Sequence, residues 1–314
     1  NLDYFLIFLI LSLGAISFLA LYSTEKGNFG YYTQSHIYRF SIFFIVFIFF
    51  SFLKVRTIFM YSYVFYLIVL VLLIGVDFFG VTASGSKRWI NLFFINLQPS
   101  ELMKVAVIAF LARYYNKIPS ENVTNIKYII IPLFTLFVPV ALVFSQPDLG
   151  TALLIAIGGL AVIWLTGFRM KYFLFSFIIF LCLTPVAISF LKPYQKARIL
   201  TFLNPDRDPL GAGYQIIQSK IAIGSGGIFG KGFLQGSQSY LDYLPEKHTD
   251  FIFTLFSEEF GFMGSSLLLL IYAAIIYRVI LIGHRVRSNF AKLYCFSFGT
   301  AFLSLGIGSP PSVT

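Results

Sequence analysis

Four ionisable residues, Glu246, Lys247, His248 and Asp250, crowd into PEKHTDFIF (245–253), where a long polar stretch runs into an apolar one. Ionisable groups at the lip of a membrane helix are costly to hold without water or partners, which makes them functional candidates by default. A carboxylate there is partly desolvated and suited to act as a base on a substrate held at the membrane surface. Asp250 is therefore the candidate catalytic base, with Glu246 and His248 beside it as candidate substrate-binding groups.

Chemistry that releases an anion also needs cations. Lys87, Arg88, Arg198 and Lys220 are available on the same side, as is Lys104, one turn into an apolar run. Glu101 and Lys104 are spaced i, i+3 and can pair along one helix, which would also make their burial tolerable. Trp89, after Lys87 and Arg88, reads as an interfacial anchor or as part of a sugar site. QPSELMKVA (98–106) and QPDLGTALL (146–154) echo each other, each with an early proline and a first-turn acid, Glu101 or Asp148. Two well-made helix starts account for the echo as readily as a functional role does.

Eight of the 24 glycines fall between Gly211 and Gly236, most densely in GSGGIFGKG (224–232). The stretch lacks Gly-x4-Gly-Lys-Ser/Thr spacing, since Gly232 follows Lys231, so it is not a phosphate loop. It serves either tight turns and close packing, or a backbone that approaches a polar head group. His36, His248 and His284 fall on separate segments and form no metal site. Cys182 and Cys295 lie in apolar runs and suggest neither a disulfide nor a metal ligand.

These residues need elements to hold them. The chain of 314 residues is 58% hydrophobic and 11% charged, where a soluble domain carries about 25% charged residues. Apolar runs of bilayer length predict an all-α, polytopic transmembrane helix bundle in a single domain. Nine spans are predicted near 4–22, 40–53, 58–80, 101–115, 128–145, 149–166, 172–191, 250–282 and 291–308. With the N-terminus cytoplasmic, the inner loops hold eleven basic residues and the short outer loops hold four, Lys26, Arg39, Lys87 and Arg88. That bias places the N-terminus inside and the long loop 192–249 outside. The net charge of +10 is spread over loops between spans, which excludes a nucleic-acid partner in favour of membrane lipid. The first span has no basic leader or cleavage site and reads as a retained helix. Because the chain opens at Asn1 rather than Met, leading residues are expected to be missing.

The eighth span is too long for a straight crossing, with Gly261 and Gly264 as its expected flexible points. From Asp250, a stripe of Thr254, Ser257, Gly261 and Gly264 should face packing or a cavity, with Phe251, Leu255, Phe256 and Phe262 off it. Glu258 and Glu259 read as intramembrane carboxylates with a structural role, protonated or paired with a neighbouring helix.

GSKRWI (85–90), QPSELMK (98–104), QPDLGTA (146–152), NPDRDPLGAGYQIIQSKIAIGSGG (204–227) and PEKHTDFIF, in this order, resemble the SEDS family (shape, elongation, division and sporulation proteins). GKGFLQGSQS (230–239), with the lysine of IQSKIAIGSGG, is more similar to the elongation branch than to the division branch. The resemblance implies a ten-helix bacterial inner-membrane glycosyltransferase that polymerises lipid II on the outer face, beside a class B penicillin-binding protein that crosslinks the strands. It places the family's essential aspartate on Asp250, and conserved motif positions on Trp89, Glu101, Lys104 and Asp148. The family's last span and closing motif are not visible before GSPPSVT, so the end of the chain is expected to be truncated or altered.

Forming the glycosidic bond requires a base for the attacking hydroxyl and cations for the departing pyrophosphate. A divalent cation at the pyrophosphate is left open. The alternatives are a transporter for the same precursor, which calls for discontinuous helices near the midplane and draws partial support from Asp77, Glu258 and Glu259, or a scaffold for the transpeptidase. Clustering of the candidates at the outer rim favours the enzyme.

Overall fold

The computed structural model describes residues 2–83, 86–91, 96–146, 148–175, 178, 181–182, 189, 196, 200–201, 204–207, 212–237 and 251–308. The helical membrane-protein class is as expected. Among the described residues, five helices are long and apolar enough to cross a bilayer: Tyr4–Thr24, Tyr31–Ser51, Val55–Phe79, Lys127–Ser145 and Ile252–Arg285. The expected seventh span lies largely outside the described residues. The chain forms two compact units, one of residues 1–52 and 178–275, the other of residues 53–177 and 276–309.

The first unit opens with α1 (Tyr4–Thr24), whose first turn is capped by Asp3, with Leu6 N–H donating to its carboxylate at 3.0 Å. Helix α2 (Tyr31–Ser51) begins well before the expected position near residue 40. The reason is Glu25, whose carboxylate accepts the N–H groups of Tyr32 and Thr33 at 2.9 and 3.0 Å and so anchors the new helix start. Arg39 consequently lies within α2 rather than in a loop. Thr33 is the buried residue of α2, whose exposed surface carries Phe43, Ile45 and Phe49, as suits a lipid-facing helix. The described part of the long loop holds α7 (Ala212–Ser225) and a coiled stretch, 226–237, before α8 (Ile252–Arg285).

The second unit is built around α4 (Pro99–Tyr115). Met103, Ala106, Val107 and Leu111 of α4 are completely buried. Around it pack α3 (Val55–Phe79), α5 (Ile126–Ser145), α6 (Leu149–Leu165) and α9 (Asn289–Gly308). Gly158 and Gly159 of α6 let that helix approach closely. A Cβ at Gly158 would already touch Ile108 at 3.3 Å and Ala301 at 3.5 Å.

Between α3 and α4 the expected simple outer loop is a small antiparallel sheet of β1 (Val81–Ala83), β2 (Ser86–Asn91) and β3 (Asn96–Leu97). Val81 pairs with Trp89, and Ile90 with Leu97. This hairpin carries three candidate residues.

Helix α8 is not continuous. Gly261 has φ 63° and ψ −162°, a conformation that breaks the helix. From Phe262 to Arg285 the helix alone extends about 36 Å at 1.5 Å per residue, enough for a hydrocarbon core of roughly 30 Å. The excess length noted in the sequence is thus the separate segment Ile252–Phe260.

Candidate functional site

In the second unit the polar candidates gather at the α3/α4 hairpin and the α5–α6 junction. Strand β2 alternates its side chains. Arg88 and Ile90 are partly buried, whereas Lys87, Trp89 and Asn91 are exposed. Lys87 and Arg88 therefore point to opposite faces of the strand. Arg88 Nη1 stands 3.7 Å from Asp148 Oδ2. The Gln98 side-chain amide donates to the same oxygen at 3.4 Å. The other oxygen, Oδ1, accepts the Thr151 N–H at 3.2 Å. Asp148 is thus the N-cap of α6 and not a first-turn acid, as the sequence had suggested. One carboxylate both starts a helix and holds a guanidinium.

Two residues before Asp148, the Gln146 side-chain amide donates to Asp77 Oδ1 and to the Leu73 carbonyl, both at 3.1 Å. Gln146 and Gln98 were missed by sequence reasoning. The repeated Gln-Pro at the head of both motifs was the available signal. The expected i, i+3 pair is present, with Lys104 Nζ 2.8 Å from Glu101. Its two ends differ: Lys104 is 7% exposed, while the Glu101 side chain is 53% exposed. The ammonium faces the bundle and the carboxylate faces outward.

In the first unit, the break in α8 is filled by the glycine-rich loop. In an unbroken helix the carbonyls of Glu258 and Glu259 would accept from the N–H groups of Phe262 and Met263. Here they accept from Lys231 and Gly232, both at 3.0 Å, while Phe262 and Met263 donate to the carbonyls of Gly227 and Ile228 at 2.9 and 3.1 Å. Two helical rungs are replaced by four hydrogen bonds to a tightly turned segment laid into the gap. Glycine is required for this approach. A Cβ on Gly230 would overlap the Glu259 carbonyl, and one on Gly261 would overlap the Gly230 nitrogen. Of the two readings of GSGGIFGKG, the geometry matches close packing.

The same break orders the two carboxylates. Glu258 is fully buried. Its Oε1 accepts from Lys231 Nζ at 2.6 Å, from Ser237 Oγ at 2.8 Å and from Ser237 N–H at 3.0 Å. Glu259 accepts from the Ser23 hydroxyl at the end of α1, and from the backbone N–H groups of Leu234 and Gly236. The structural role expected of both is as read, but their partners are chiefly loop groups rather than side chains of a neighbouring span. The expected polar stripe holds only to the break. Thr254 and Ser257 are buried, but so are Phe251, Leu255 and Phe256, because the segment 251–259 is enclosed almost all round. Phe262, past the break, is 71% exposed.

Lys220 is exposed on α7. Asp250, Glu246, His248 and Arg198 lie outside the described residues. Among the described residues, no three His, Cys, Asp or Glu side chains gather to hold a metal ion. Asp77 and Asp148 are each engaged by glutamine or arginine donors.

Comparison with known proteins extends over nearly the whole chain. Residues 2–306 match the cell cycle protein family FtsW/RodA/SpoVE. The peptidoglycan glycosyltransferase MrdB of Escherichia coli is 42% identical over 253 residues, 78% of this chain and 67% of that protein. Stage V sporulation protein E of Bacillus subtilis is 39% identical over 244 residues, 77% of this chain and 63% of its own length. A chain solved in a study of how a peptidoglycan synthase complex coordinates polymerization and crosslinking superposes with TM-score 0.82 at 26% identity, covering 99% of this chain and 89% of that one. The rod shape determining protein RodA of Thermus thermophilus shares the fold, with TM-score 0.69 at 22% identity over 98% of this chain and 86% of its own. With its quoted motifs in family order and the match running from residue 2 to 306, the chain belongs to the FtsW/RodA/SpoVE family, the SEDS proteins.

Proposed function

We infer that this chain is a peptidoglycan glycosyltransferase that polymerises lipid II into glycan strands, of the branch that serves cell elongation. The observation that carries the reading is the 42% identity to a peptidoglycan glycosyltransferase over 78% of the chain. The polar group at Arg88, Gln98 and Asp148 fits it, because such a group at the head of a helix bundle suits a substrate with a charged head and an apolar tail.

In the proposed step, Asp250 takes the proton from the acceptor's 4-hydroxyl as that oxygen bonds to the donor's anomeric carbon. The bond from that carbon to the pyrophosphate oxygen breaks, and its electron pair leaves with the undecaprenyl pyrophosphate. Cations stabilise the departing charge. Arg198 and Lys104 are assigned that task from the sequence, and the half-buried Arg88, held by Asp148, joins them. The catalytic face is extracytoplasmic, the N-terminus is cytoplasmic, and the partner is a single-pass class B transpeptidase.

The transporter alternative called for discontinuous helices, and α8 is one. Its freed carbonyls at Glu258 and Glu259 and freed N–H groups at Phe262 and Met263 are nevertheless bonded to the loop. They are not offered to a passing ion or head group, which favours the polymerase.

The test is polymerisation of purified lipid II by the full-length protein with its partner, comparing the parent with Asp250→Asn. Asn caps a helix as well as Asp but accepts no proton. Loss of polymer with normal protein level and partner binding is expected. Parental activity in the Asn variant would remove Asp250 from the chemistry.

A further inference from the structure

The segment Ile252–Phe260, which begins two residues after Asp250, is isolated from the rest of α8 by the break at Gly261. The loop 226–237 is what holds it. Four backbone hydrogen bonds join the loop to both sides of the break. Lys231 and Ser237 converge on one oxygen of Glu258, on the far turn of the segment. Phe233 of the loop lies between Tyr22 of α1, at 6.4 Å, and Phe260, at 6.1 Å. Leu234 is held at φ 63°, a left-handed conformation costly for a branched apolar residue, and its N–H is directed at Glu259. A loop that only connected two helices would relax such a residue. This one is fixed from several sides.

We propose that loop 226–237 is a positioning clip for the catalytic aspartate, in which the Lys231–Glu258 pair sets the rotation and depth of the segment Ile252–Phe260 and through it the placement of Asp250. Lys231 and Glu258 are positioning residues here. Neither is asked to touch substrate. The proposal rests on the assignment of Asp250 as the base.

A fully buried Glu258 left without Lys231 would be an unpaired charge, so single removals risk the fold. The informative variant is the Lys231→Met/Glu258→Gln double, which removes both charges and keeps a side-chain oxygen for Ser237 to donate to. It is measured in the full-length protein with its partner, on purified lipid II, beside Lys231→Arg and Asp250→Asn. The double variant is expected to melt and to bind the partner like the parent, with KM within about threefold. Its kcat is expected to fall about 10- to 100-fold, the size of effect that a displaced catalytic group produces. Lys231→Arg, which keeps the ion pair, is expected to retain most of the parental kcat.

Parental kcat in the double variant overturns the proposal. Early melting with joint loss of partner and activity also overturns it, since the pair would then be a fold determinant. A normal double variant beside an inactive Asp250→Asn removes the clip and leaves the base in place. An active Asp250→Asn removes the base assignment itself, and the positioning proposal with it.

Discussion

The Tyr66 hydroxyl donates a 2.9 Å hydrogen bond to the Thr135 carbonyl, which Pro139, four residues on, leaves without its helical donor. A proline inside a helix removes one rung, and a buried carbonyl left unpaired costs about 1–3 kcal/mol. The tyrosine of α3 replaces that rung and ties α3 to α5. Tyr66→Phe should therefore lower the melting temperature while polymerisation at low temperature persists. Pro139→Ala restores the missing N–H, so Tyr66→Phe should cost less in that background than alone. Equal costs in both backgrounds would show that the hydroxyl does not substitute for the proline's lost donor.

The Glu101–Lys104 pair predicts asymmetric mutants. Glu101→Ala leaves a nearly buried ammonium without its carboxylate and should cost about 1–3 kcal/mol of stability. Lys104→Met leaves a carboxylate that water already reaches, and should cost less than about 1 kcal/mol. Thermal melting of both in detergent checks the order. If Lys104→Met is the less stable of the two, the burial argument fails. Polymerisation measured on the stable Lys104→Met protein then reports the lysine's part in the reaction, free of folding effects.

Asp148 is predicted to show its two roles separately. Asp148→Asn keeps an acceptor for the Thr151 N–H and should leave stability nearly unchanged, whereas Asp148→Ala loses the cap and about 1 kcal/mol. Both lose the charge that holds Arg88, so both should lose polymerisation to a similar extent. An active Asn variant would make Asp148 a cap alone.

Gly261→Ala and Gly27→Ala place a side chain at similar positive φ, 63° and 77°. At Gly27 the nearest atom is a Leu234 methyl at 3.5 Å, so only the conformational cost applies, roughly 1–2 kcal/mol. At Gly261 the new Cβ meets loop backbone that cannot move aside without opening the break. Gly261→Ala should be clearly the more damaging of the two in expression and melting. Similar behaviour would show that the loop yields easily.

The orientation is testable by a cysteine at Gln238. It should react with a membrane-impermeant thiol reagent in cells whose outer membrane has been permeabilised. Reaction only after lysis would reverse the topology and the site assignment with it.

Local features were legible in the sequence because they depend on short spacing. The Glu101–Lys104 pair followed from i, i+3, and the bend at Gly261 followed from a helix longer than the bilayer is thick. Contacts between distant segments were not. Nothing near Lys231 indicates that it pairs with Glu258, and the glycines of 224–232 read equally well as a ligand loop until the opened helix was in view. Arg88 and Asp148 were each chosen from their own motif, but their contact depends on a hairpin that hydropathy cannot reveal. Asp148 reads from the sequence as a first-turn acid, whereas it is the N-cap, because its side chain and not its backbone begins α6. The start of α2 was missed because its first turn is stabilised by Glu25, a residue outside the helix.

Helix α4 carries Glu101, Lys104 and Arg113 within 17 residues. It is nevertheless enclosed by α3, α5, α6 and α9. A charge costs at most about 2.5–3.5 kcal/mol during insertion, the value at a helix centre, and less toward the ends, but α4 carries three such residues, with Lys104 inside its apolar run, and is poorly suited to partition into lipid by itself. Its biogenesis then depends on order of synthesis. α3, emerging first, is apolar enough to insert alone and offers Phe59 and Tyr63 to the Arg113 guanidinium, at 5.0 and 4.0 Å. The helix at the centre of the bundle would thus enter the bilayer as a passenger of its neighbour, and chains stalled before α5 and α6 emerge would be substrates for membrane quality control.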